Sequence, residues 1–224
     1  MGKGMKSYLV FTTGIYRLFL FVVVPVAAVA IQALLMLFTD SGGAVGAGMI
    51  LSALTMMVAE GVLDYWAFGG IAVKGGSSLE YLKTSVKGRE MVRSALRYDM
   101  LRTFVECAAV LGLSMIFGDV IRGGLGTLMQ SIDRFRIVFF SLLVLDEFFV
   151  AVSMKLITRH FDNFQVNTCV ASLGGLVFLP LIGAADQNRY LVLVLLAILS
   201  VSVSFLSLRK IMKRVEGSYY DKKL

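Results

Sequence analysis

The sequence predicts an all-α membrane protein with six transmembrane helices and a short helix in the cytoplasmic loop between spans two and three. Three observations carry this. Of the 224 residues, 58% are hydrophobic and 17% charged, and mean hydropathy is +0.81, far outside the range of a soluble domain. Six stretches approach the roughly 20 apolar residues that a bilayer core of about 30 Å requires. Those stretches are continuously apolar instead of alternating, which points to helices satisfying their own backbone groups, not to a barrel.

Taken in order, residues 1–17 mix Lys3, Lys6 and Arg17 with Tyr8, Leu9, Val10, Phe11, Ile15 and Tyr16. That mixture suits an interfacial helix lying on the inner leaflet, the alternative being a frayed terminus. The first apolar run is too long for the core of a cleaved signal, and no small-residue cleavage pattern follows it. The spans are expected at Leu18–Phe38, Ala44–Phe68, Leu101–Phe117, Ile137–Met154, Val166–Ala184 and Tyr190–Leu208, together a transmembrane domain over 18–208. Residues 209–224 form a basic cytoplasmic tail. Cys107 and Cys169 fall within spans, where a thiol acts as a small hydrophobe. The outer connection Gly118–Arg136 carries Leu128, Met129, Ile132 and Phe135 at helical spacing, predicting a short amphipathic helix. The glycines Gly42, Gly43, Gly46, Gly48, Gly174 and Gly175 permit close helix approach.

Orientation follows from the basic residues. Of the 22, all but Arg122, Arg134, Arg136 and Arg189 fall on one side of this topology. Such asymmetry in short connections places both termini in the cytoplasm, as an even number of spans requires. The net charge of +7 is then a topology signal that attracts anionic lipid headgroups, and no nucleic acid partner is expected.

The long cytoplasmic loop, 69–100, reads as two helices. Ser77 with Glu80 matches a capping box, starting a short helix near Ser78. Thr84-Ser85 then supplies a break and a second N-cap, and Val86 to Tyr98 continues toward span three as an interfacial elbow. In it Met91, Ala95 and Leu96 lie on one side and Arg89, Arg93 and Arg97 on another. Taken alone, an amphipathic loop reads equally as a docking surface or a charged connector.

With its run Leu79-Glu80-Tyr81-Leu82-Lys83-Thr84-Ser85-Val86-Lys87-Gly88-Arg89-Glu90, the chain resembles the type-2 permeases of ATP-binding-cassette (ABC) transporters. Similarity at the level of residues covers about Leu79–Arg97, and the topology agrees throughout. Many members carry Pro after the Ser, where this chain has Val86. The resemblance implies that Leu79, Glu80, Tyr81, Leu82 and Lys83 form a coupling helix docking into a groove on a cytoplasmic ABC ATPase subunit. It also implies a second permease subunit, in a homodimer or a heterodimer.

No phosphate-binding loop of the form Gly-x4-Gly-Lys-Ser/Thr occurs. The chain is therefore not read as an enzyme and carries no cofactor or metal; ATP and magnesium belong to the partner ATPase. His160 and Asp162 lie in a short inner loop without metal-ligand companions. No intramembrane protease motif is present.

Acids inside a membrane are costly and face a bundle interior or water. From Ala44, at 1.5 Å per residue, Glu60 lies about 24 Å down span two and Asp64 about 30 Å, near the inner boundary and on one face. They suit a cytoplasmic vestibule or pairing with basic loop residues, Asp64 being the better candidate for a solvated helix end. Asp99, Arg102 and Glu106 share a stripe of span three, so Arg102 can be neutralised within its own helix. Asp146 and Glu147 fall near the midplane of span four with no basic residue at i±3 or i±4. Separated by about 100°, at most one points straight into any one shared interface. They form either a cation-attracting or proton-bearing site or a polar clamp between helices.

The expected function is thus the permease subunit of an ABC exporter in a bacterial plasma membrane, moving an amphipathic peptide or lipid-like molecule. The alternatives are an ion- or proton-coupled transporter using Asp146 and Glu147, and a membrane scaffold that transports nothing.

Overall fold

The computed structural model describes residues 2–38, 43–64, 67–68, 85–123, 134–158 and 189–220. All the elements are helical, and no strand occurs among the described residues. Helix α1, Lys3–Phe11, is followed by α2, Gly14–Leu18, which passes through a π turn at Phe19–Val23 into α3, Val24–Phe38. Then come α4, Gly43–Asp64; α5, Val86–Gly123; α6, Arg134–Thr158; and α7, Arg189–Tyr220. Among the described residues three segments are long and apolar enough to cross a membrane: Gly14–Leu35, Val86–Phe117 and Tyr190–Lys213. Span five at Val166–Ala184, the segment Leu79–Lys83, His160, Asp162, Cys169 and Leu128–Ile132 lie outside the described residues.

Local chemistry explains the breaks. Thr12 and Thr13 are extended, and the Thr13 hydroxyl accepts from the Tyr16 amide at 3.3 Å, capping α2. The π turn sits just before Pro25, whose ring and missing N–H disturb the ladder reaching back to Phe21. Ser85 caps α5 as its sequence predicts, its hydroxyl accepting from the Gly88 amide at 2.9 Å.

Beyond that cap the structure departs from the expected elbow. Helix α5 runs unbroken for 38 residues, about 57 Å, merging the loop helix with span three. Its stripe of Val92, Ala95 and Leu96 is buried against Tyr8 of α1, Leu20 of the π turn and Ile211 of α7. That apolar contact replaces the solvent which would have favoured a break. Helix α7 likewise continues through the expected tail to Tyr220, with Ile211 and Met212 buried in the same cluster.

Helix α1 is seated on α5. Gly4 makes the approach close: a Cβ there would lie 3.3 Å from Tyr98 Cβ and 3.4 Å from the Ser94 carbonyl. Tyr8, fully buried, packs on Tyr98 at 5.3 Å and Phe68 at 6.2 Å between ring centroids. Burial pushes its hydroxyl pKa above the ordinary tyrosine value. A second core joins α4, α5 and α6 through Met57, Leu111, Leu143 and Met154, and Leu142 of α6 meets Leu196 of α7.

Candidate functional site

The polar residues of the interior fall into two groups. The first lies where α4, α5 and α6 meet. Arg102 grips Glu60 with both ends of its guanidinium, Nη1 to Oε1 at 2.7 Å and Nη2 to Oε2 at 2.8 Å. On its own helix Nη2 donates to Asp99 Oδ1 at 2.9 Å and Nη1 donates to Glu106 Oε2. Lys155 of α6 completes the group, its Nζ lying 2.9 Å from Asp99 Oδ2 and 2.8 Å from Glu60 Oε2 and donating to Thr103 Oγ1 at 2.6 Å. Tyr8 and Phe21 present their rings to the Arg102 guanidinium at 5.8 and 5.9 Å, bringing α1 and the π turn onto the same cation.

All members of this group are buried. Charges removed from water are tolerable only when paired and hydrogen-bonded, and bidentate Arg–carboxylate geometry is among the strongest ways to do so. In this group three carboxylates face two cations.

The pairing of Arg102 with Asp99 and Glu106 within one helix matches the sequence expectation. Two other expectations change. Lys155, counted as a cytoplasmic loop residue, lies inside α6 and is fully buried. Asp64, the candidate for a solvated end, is 1% exposed. Glu60 does find basic partners, as its position suggested, but on helices α5 and α6 instead of in loops. Lys155 was missed because an apolar run with one terminal Lys looks the same whether the side chain snorkels to water or turns inward.

The second group is Asp146 and Glu147, on α6 about two turns before Lys155. They are 2% and 0% exposed, and none of their four carboxylate oxygens has a hydrogen-bond partner among the described residues. The Cys107 thiol of α5, a weak donor, lies beside Glu147. The two side chains occupy different interfaces. Glu147 shares the stripe of Leu143, Val150 and Met154 that packs on α4 and α5. Asp146 shares that of Leu142 and Phe149, which pack toward α7. Adjacent acids are both buried because α6 has neighbours on two sides.

A neutral polar link lies farther along the bundle. Gln32 Nε2 of α3 donates to the Ser114 carbonyl of α5 at 3.0 Å, and the Ser52 and Ser114 hydroxyls are 3.4 Å apart. Among the described residues no group of three or more His, Cys, Asp or Glu side chains is placed to hold a metal ion. No family model, curated protein or solved structure matches the chain.

Proposed function

We propose that the chain is the transmembrane permease subunit of an ABC-type exporter, driven by a separate cytoplasmic ATPase that binds ATP and magnesium. One observation supports this above others. Helix α5 is capped at Ser85, two residues after the segment Leu79–Lys83, and runs without a break past the ion-pair group at Asp99–Glu106. A rigid helix transmits displacement where an elbow would absorb it. The bonds from Arg102 to Glu60 and from Lys155 to Asp99 tie α4 and α6 to it, so movement at its capped end is delivered to three helices together. Both termini are cytoplasmic in this reading. A second permease subunit completes the path, and the cargo is an amphipathic peptide or lipid-like molecule.

Gentle purification of the tagged chain from its native membrane tests the proposal. A stoichiometric protein carrying a phosphate-binding loop is expected to accompany it. Reversing charges with Glu80→Lys and Lys83→Glu is expected to leave insertion intact and lower ATPase capture at least tenfold. Full capture by that double variant removes the docking site.

A second reading, transport driven by protons or another cation, is favoured by the buried Asp146 and Glu147, which lack hydrogen-bond partners among the described residues. Uptake into vesicles that follows an imposed gradient without ATP, and disappears in Asp146→Asn with Glu147→Gln, would establish it in place of the first.

A further inference from the structure

Between α1 and the first half of α5 runs a groove of about 550 Å³. Lys3, Lys6, Lys87, Arg93 and Arg97 surround it, with Glu90 as its one acid, and all six side chains are exposed. None of the five cations forms an ion pair among the described residues. The groove therefore carries a net positive field, five cations against the one carboxylate of Glu90.

The height of the groove on α5 shows what kind of anion fits. Arg93, Arg97, Leu101 and Val105 follow at intervals of four and form one stripe. The two cations are exposed, and so are the apolar residues above them, Leu101 at 61% and Val105 at 56%. Within a helix long and apolar enough to cross a membrane, that change from basic to apolar along one exposed stripe marks where headgroups give way to acyl chains. A soluble anion would have no use for the apolar half of the stripe.

We propose that this groove is a binding site for an anionic phospholipid, its phosphate headgroup held among Lys3, Lys6, Arg93 and Arg97 and an acyl chain laid along Leu101 and Val105. The site is independent of the ATPase-coupled reading, since it needs only α1 and α5 at a membrane surface. Gly4 is part of its construction, because the close approach of α1 to Ser94 and Tyr98 brings the lysines of one helix opposite the arginines of the other.

The test uses the full-length chain in mild detergent, titrated with phosphatidylglycerol or phosphatidylcholine, the bound lipid being counted by native mass spectrometry. Retention of phosphatidylglycerol over phosphatidylcholine is expected. At about fivefold for each charge near an anionic surface, Arg93→Gln with Arg97→Gln is expected to weaken retention more than tenfold at an unchanged unfolding temperature. Leu101→Gln weakens it by a smaller factor, and Arg209→Gln with Lys210→Gln leaves it unchanged. Equal retention of the two lipids, or full retention by the double arginine variant, would overturn the proposal. So would displacement of the lipid by millimolar inorganic phosphate, which would show a site for the phosphate group alone.

Discussion

Glu60, Asp99 and Glu106 are buried carboxylates surrounded by cations, whereas Asp146 and Glu147, about 12 Å away along α6 from Lys155, are buried carboxylates among leucines, valines and phenylalanines, with the Cys107 thiol beside Glu147. Burial is equal in the two regions. Partnership is not, and the same residue type therefore contributes differently in each. A paired acid holds helices in register because separating it strands two charges at once. An acid without a partner adds nothing to register and costs free energy when ionised, which is why such a position signals a moving cation, a proton or a second component.

The strongest way to break the contrast is to remove the central cation. Arg102→Met leaves three carboxylates facing Lys155 alone, and a loss of about 3–5 kcal/mol is expected, the range for breaking a buried pair by removing one partner. Reversible unfolding of the detergent-solubilised chain measures it. A loss below 1 kcal/mol would mean that the group is hydrated in the membrane and is no clamp.

Lys155→Met tests the inter-helix arm separately. A loss of about 3 kcal/mol is expected, part of it recovered when Asp99→Asn is added, because the acid left behind then carries no charge. Contacting members of one network show coupling of about 0.5–3 kcal/mol. Strict additivity of the two substitutions would show that Lys155 and Asp99 do not interact.

The smallest effect belongs to the other region. Glu147→Gln and Asp146→Asn keep the shape of the side chain, and the four carboxylate oxygens lack a conventional hydrogen-bond partner among the described residues, so each is expected to change stability by less than about 1 kcal/mol, below the roughly 1–3 kcal/mol that stranding a buried partner costs. Losing more than 2 kcal/mol in either would reveal a structural partner and turn the pair into a clamp. Unchanged stability with altered transport would sharpen the contrast, assigning structure to one region and passage to the other.

Much of this was legible residue by residue. The membrane class came from composition, the α5 start from Thr84-Ser85 as an N-cap ahead of an amphipathic run, and the Asp99–Arg102–Glu106 stripe from spacing within one helix. Each depends on interactions between residues at most four apart. The elbow expected over Val86–Tyr98 failed because amphipathicity shows that a face will be buried without showing against what. Leu96 lies in one buried cluster with Tyr8 and Ile211, which come from opposite ends of the chain, and that packing accompanies the unbroken α5.

The sequence by itself therefore determined the solvent of this protein and its helical class, because apolar length and hydrogen-bond closure within a helix are local properties. Only the tertiary structure decided that Lys155 turns inward to Asp99 and Glu60, that Asp64 is buried, and that Asp146 and Glu147 face two interfaces. Those outcomes depend on the rotation and depth of α4, α5 and α6 relative to one another. Packing of distant segments sets both, and no periodicity within a single segment encodes them.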